Sequence, residues 1–228
     1  MKSTKIKMTV LAAAASVVMS WLSAPVASAQ DAAAAPPAVA PADRDWAEYK
    51  AITTCRWCHG PEGNSISPIY PALAGQKAWY ILEQLQAFKA QTRRDPFAMG
   101  IMWGMAAQLT ETQMIALADY YSKQKPPFAS KPAPFQGAMI AREAQQGKSI
   151  YNEGIAATGV PPCSACHQAD AGGNDQFPRL AGQHALYTIK QLIALHNGTR
   201  EQAVMNGVAA PLQRSDMMAV AYYLESLR

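Results

Sequence analysis

The amino-acid sequence predicts an all-α protein built from one short helical unit used twice. Three observations support this. Apolar residues recur at helical spacing in the long segments. Period-two runs and Asn-Gly hairpin signals are missing, so strand content is expected to be minimal. The stretch Cys55-Arg-Trp-Cys-His-Gly60 also returns 108 residues later as Cys163-Ser-Ala-Cys-His-Gln168, and it brings its flanks with it.

Ala78, Leu82, Leu85 and Phe88 fall on one face of a helix, as do Leu186, Ile189, Leu192 and Ile193. Thr110 and Gln113 form a capping box opening a helix over Glu111–Gln124. Its counterpart is expected from about Ser215 to Leu227, burying Met218, Val220, Tyr223 and Leu224 in some combination.

The repeat extends well beyond the cysteines. Pro71-Ala-Leu-Ala-Gly-Gln76 returns as Pro178-Arg-Leu-Ala-Gly-Gln183, and Tyr80, Gln84 and Leu85 return as Tyr187, Gln191 and Leu192. Thr92-Arg93 becomes Thr199-Arg200, all at an offset of 107. Met102 to Leu109 aligns with Met205 to Leu212 at 103, so the first half carries four extra residues, placed around Asp95-Pro96-Phe97. Two copies of this length make a tandem domain and not a solenoid.

The chain opens with a basic segment (Lys2, Lys5, Lys7), an apolar run from Met8 to Leu22, and Ala27-Ser28-Ala29. This is the pattern of a secretory signal peptide over residues 1–29, cleaved after Ala29 into a periplasmic space. The apolar run of 15 residues is short for a spanning helix, which needs about 20. Loss of the three lysines lowers the net charge from +4 to +1, so the basic stripe of a nucleic-acid binder is not expected.

Residues 30–42 read as a disordered Ala/Pro-rich spacer and residues 126–136 as a Pro-rich linker. Between them lie a first domain, 43–125, and a second, 137–228. Helical domains of about 85–90 residues have difficulty burying enough apolar surface unaided, and a large apolar cofactor would supply it.

In an exported protein, Cys-x-x-Cys-His is the attachment signature of c-type haem. Two thiols three positions apart reach the two vinyl groups of one porphyrin, and the following histidine lies under the ring. A thioredoxin-like dithiol would need a βαβ context, absent here. Structural zinc would join knuckles far closer in sequence, and two disulfides, though compatible with export, leave the repeated histidine unexplained. Cys55, Cys58, Cys163 and Cys166 are therefore expected to bind two covalent haem c groups, with His59 and His167 as iron ligands.

A sixth ligand of methionine type raises the reduction potential. Met99, Met102, Met105 and Met114 all lie in the first half. The repeat separates them: Met102 matches Met205, whereas Met99, Met105 and Met114 match Gln202, Val208 and Met217. The Met114/Met217 pair falls in the terminal helices, where a packing role is expected. Met205 is expected on an irregular, Gly-containing stretch before a helix. Met102 and Met205 are thus the expected axial ligands. His184 and His196 match Lys77 and Lys89, so they are expected at the surface. The carbonyls of Pro71 and Pro178 are candidate partners for the ligating imidazoles. Arg93 and Arg200 read either as propionate partners or as solvated helix ends. Tyr80 and Tyr187 read either as propionate partners across the domain interface or as core packing.

With both CxxCH motifs, both Leu-Ala-Gly-Gln segments and both methionines in place, the chain resembles the dihaem cytochromes c of the cytochrome c4 family over Asp43 to Arg228. Gly63-Asn64-Ser65 and the long approach Gly147–Pro162 add to the likeness. The resemblance implies two tandem class I cytochrome c domains related by a pseudo-twofold axis, each wrapped around one covalent haem. It also implies single-electron transfer between redox protein partners in the periplasm: a terminal oxidase, a cytochrome bc1-type complex or a dehydrogenase. It leaves room for peripheral association with a membrane. The alternative is a dihaem subunit held tightly by a flavin-dependent or other dehydrogenase. A dihaem enzyme such as a peroxidase is disfavoured, because an open iron position is needed and both haems have a methionine available. A cysteine-ligated catalytic haem is excluded, because attachment spends all four thiols.

Overall fold

Helix α1, Pro41–Lys50, opens on a proline at its first turn, where the missing N–H is not needed. The computed structural model describes residues 38–126 and 137–227, all within one compact unit. Helix α1 starts two residues inside the stretch read as spacer, which shortens that stretch. The rest of the spacer, the signal segment and residues 127–136 of the linker lie outside the described residues.

Helix α1 runs through one π turn, Ala51–Cys55, into the short α2, Arg56–His59. Then come α3, Ala78–Lys89, a second π turn, Ala98–Met102, leading into α4, Trp103–Ala107, and α5, Glu111–Ser122. The second half repeats the order with α6, Ala138–Glu153, α7, Ser164–His167, and α8, Ala185–His196. It closes with α9, Ala203–Ala209, and α10, Arg214–Ser226. Among the described residues the sole extended pairing is an isolated bridge between Ile155 and Val160.

Each half is held by its first and last helices. Helix α1 meets α5 at Ala47, which is fully buried. Helix α6 meets α10 at Gly147, where an added Cβ would lie 1.9 Å from the Ala219 carbonyl oxygen. Two backbones that close leave room for hydrogen alone. The Thr110 capping box forms as expected, with Thr110 Oγ1 accepting from the Gln113 N–H at 3.2 Å and Gln113 Oε1 from the Thr110 N–H at 3.0 Å. Met114 and Met217 are buried in the terminal helices, in packing roles.

The buried face of α8 differs from the expected one. Ala185, Ile189, Ala194 and Leu195 are buried, while Leu186 is 43% exposed. The cause is a second covered side: Gln191 is buried against the first domain, so α8 is turned to serve both its own core and the interface.

Candidate functional site

Each Cys-x-x-Cys-His motif forms a tight helical turn that puts two thiols and one imidazole on the same short element. Gly60 ends α2 at φ 76° and ψ 169°, a conformation natural to glycine. Gln168 ends α7 at φ 70° and ψ 161°, the same turn made by a residue with a Cβ. All four cysteines are half-buried, and no disulfide joins them. Burial pushes the Cys55 thiol up, and pushes Cys163 up to about 11. The Tyr121 hydroxyl is buried beside Cys55 without a well-formed hydrogen bond.

The histidines are buried and oriented alike. His59 Nδ1 lies 2.9 Å from the Pro71 carbonyl oxygen, and His167 Nδ1 lies 3.0 Å from that of Pro178. A carbonyl can only accept, so each Nδ1 carries the proton and each Nε2 keeps a lone pair. Burial lowers both imidazole pKa values, against a weaker opposing effect of the carbonyls, and favours the neutral, ligating form. Tyr70 stands edge-on to His59 and Phe177 edge-on to His167. These aromatics precede the two prolines at matched positions. The repeat offset would have paired them had their residue types agreed.

Met102 closes the second π turn and packs between two core clusters of the first half, one of which also holds Cys55. Met99 and Met105 are exposed. Met205 does not lie on an irregular stretch. It sits half-buried inside α9, where Gln202 caps the helix by accepting from the Met205 N–H at 2.8 Å. Because that cap satisfies a free amide of the first turn, the stretch before α10 is helical and not a loop.

Arg93 and Arg200 are not solvated helix ends. Both are buried, and they meet across the interface. Arg93 donates to Asp95 at 2.7 Å, to Gln84 at 2.8 Å and to Gln191 of the second half at 2.6 Å. Arg200 donates to Gln191 at 2.9 Å, and crosses to Tyr80 at 2.6 Å and Gln84 at 3.1 Å. The nearby Tyr187 and Asp95 raise the Arg93 pKa against the effect of burial. The Arg94 N–H donates to the Thr199 carbonyl at 2.8 Å, a backbone tie between the halves. His184 is a second departure from expectation. It is largely buried, with Nε2 donating to the Ser65 carbonyl at 2.8 Å across the same interface. His196 is exposed, as expected.

The two motifs do not converge on one zinc site: among the described residues, no group of three or more His, Cys, Asp or Glu side chains could hold a metal ion. Each half instead offers two thiols, one imidazole with a free Nε2 and one methionine, a donor set that fits haem c.

Comparison with known proteins gives a consistent picture. The family model for cytochrome c matches residues 49–125 and 144–228. The chain is 41% identical over 182 residues to cytochrome c-552 of Acidithiobacillus ferridurans, covering 79% of this chain and 76% of that protein. A thiosulfate dehydrogenase electron acceptor of Thiomonas intermedia is 36% identical over 176 residues, 75% of this chain and 77% of its own. Among solved structures, cytochrome c4 of Acidithiobacillus ferrooxidans superposes with a TM-score of 0.69 at 41% identity, covering 75% of this chain and 98% of that one.

Proposed function

The chain belongs to the dihaem cytochrome c4 family and carries two covalent haem c groups, and on that premise we propose that it is a periplasmic carrier of single electrons between respiratory redox proteins. In this reading Cys55 and Cys58 hold the first haem by thioether bonds, and Cys163 and Cys166 hold the second. His59 and Met102 would hold one iron, and His167 and Met205 the other. When bound, each haem supplies a reversible one-electron couple, and methionine opposite histidine sets it to a raised potential.

One observation carries the assignment. In both halves a buried imidazole gives its Nδ1 proton to a proline carbonyl and is left with Nε2 as its only ligating atom. Such a hydrogen bond fixes the ring plane and raises the basicity of the ligating nitrogen. The remaining residues exclude water and hold the donors still, which keeps reorganisation small when charge arrives or leaves.

The family relationship supports redox protein partners without naming them, and no helix of the described residues is long and apolar enough to cross a membrane. A second reading, a dihaem subunit held by a dehydrogenase, is favoured by the relative described as a thiosulfate dehydrogenase electron acceptor. Spectroelectrochemical titration of the purified protein tests the first reading. Two one-electron steps at positive potential are expected, and a strongly negative step would overturn His/Met ligation at one haem. Native purification separates the two readings, since an obligate co-purifying dehydrogenase would overturn the free carrier.

A further inference from the structure

Gln183 of the second half grips the backbone of Ala72 in the first with both ends of its amide. Oε1 accepts from the Ala72 N–H at 3.0 Å, and Nε2 donates to the Ala72 carbonyl at 3.0 Å. Gln76 of the first half does the same to Arg179 of the second, at 2.9 Å for each bond. The two clamps are the pseudo-symmetric images of one another.

What each clamp holds matters more than its symmetry. The Ala72 N–H and the Pro71 carbonyl belong to one peptide group, which is planar and rigid. Gln183 therefore pins one edge of the plane whose other edge accepts the His59 Nδ1 proton. The Arg179 N–H and the Pro178 carbonyl share a plane in the same way, pinned by Gln76 and bonded to His167. Turning either plane would break a hydrogen bond on both sides. Donation from the N–H also polarises the group and strengthens its carbonyl as an acceptor. The orientation and basicity of each ligating histidine thus depend on a side chain of the opposite domain.

We propose that Gln76 and Gln183 are positioning residues acting in trans: Gln183 sets the His59 imidazole and Gln76 sets that of His167. The proposal rests on these histidines being the iron ligands. It makes the two centres mechanically interdependent without any change in the overall fold. Opening the interface on one side would release the histidine plane on the other.

The test uses the oxidised dihaem protein and its paramagnetic proton spectrum, because haem methyl shifts report the plane of the axial histidine. Resonances are assigned to each haem through contacts with its own thioether cysteines. Gln183→Met keeps side-chain length and removes both polar atoms. It is expected to move the methyl signals of the haem on Cys55 and Cys58, several-fold more than those of the haem on Cys163 and Cys166. Gln76→Met is expected to give the reverse. A merely structural role predicts the opposite pattern, because the Gln183 side chain also accepts from the His184 N–H at the start of its own α8. Shifts confined to the variant's own domain, equal on both haems, or absent would overturn the proposal.

If Gln183→Met does not retain both haems, Gln183→Glu keeps the acceptor for the Ala72 N–H and replaces the donor with a carboxylate oxygen facing the Ala72 carbonyl. The shift must still appear on the first haem, and any other pattern overturns the proposal. A wild type whose spectrum shows no histidine-ligated low-spin haem at either centre would instead sink the ligand assignment beneath it.

Discussion

Replacing Arg93 with leucine should cost the first domain about 3–5 kcal/mol, the range for breaking a buried ion pair by removing one partner. The structure says where that cost falls. Gln84 and Gln191 each lose one donor but keep Arg200, so neither is left unpaired. Asp95 has no such hydrogen-bonding substitute, although the Lys190 ammonium lies near enough to feel its charge. Its side chain is 6% exposed, and after losing the 2.7 Å bond from Arg93 it retains only the weak 3.4 Å contact from the Ala98 N–H. Most of the penalty is therefore a buried carboxylate that has lost its hydrogen-bonded partner. Adding Asp95→Asn to Arg93→Leu removes the charge and leaves an amide short of a partner, worth about 1–3 kcal/mol. The double variant should thus be more stable than the single one, although it carries one more change. Urea unfolding of the dihaem protein, followed by far-ultraviolet circular dichroism and Soret absorbance together, measures both. A loss below about 1 kcal/mol for Arg93→Leu, or a double variant no better than the single one, would refute this account.

Three further outcomes are expected. Met102→Ala and Met205→Ala should each remove half of the near-infrared methionine-to-iron absorbance and lower one of the two potentials; retention of the full band by either variant would displace that methionine from its role. Gln168→Gly should stabilise the second half by roughly 1 kcal/mol, because φ 70° with ψ 161° is a region that costs a non-glycine residue about 1–3 kcal/mol. Both hydrogen bonds to the Gln168 carbonyl, from Tyr151 and Ala171, survive that change, so an unchanged or lower urea midpoint would count against strain at this turn. Gly147→Ala should destabilise the second half by about 1–3 kcal/mol through overpacking, read as a lower thermal midpoint, since its Cβ would fall on the Ala219 carbonyl.

Much of this was legible in the sequence because the chain contains its own comparison. The offset between the halves singled out Met102 among four methionines; of the others, Met99 and Met105 are exposed and Met114 lies in the core. The Thr110 cap was legible because its chemistry is local. Several failures share one cause, a side chain whose surroundings come from the other half. Arg93 and Arg200 follow helices that look surface-bound in isolation, yet each is buried by the opposite domain. His184 was set aside because its match is lysine, but its partner, the Ser65 carbonyl, lies 119 residues away. The π turns over Ala51–Cys55 and Ala98–Met102 carry no proline, glycine pair or cap that would mark them. The first aims Cys55 and the second aims Met102, so the two least legible elements are among those closest to the proposed haem.

Three polar pairs keep the symmetry of the protein where the halves touch, whereas positions that face solvent lose it. Gln76 pairs with Gln183, Gln84 with Gln191, and Arg93 with Arg200, and each member bonds across the interface. Outside, the match fails: Trp57, 80% exposed between the cysteines of the first motif, stands where the second has Ala165. Met99 and Met105, also exposed, stand where the second has Gln202 and Val208. Inside the interface the match also fails in places: His184, bonded to the Ser65 carbonyl, stands where the first half has Lys77, Lys190, bonded to the Ile69 carbonyl, stands where it has Glu83, and Asp95 completes the partners of Arg93 alone. A substitution at an interface pair therefore has a mirror control in the same molecule, whereas a substitution at Trp57 or Asp95 has none. A difference in potential or partner choice between the two centres is expected to originate in residues of the second kind, because the members of each interface pair act on the two centres as mirror images.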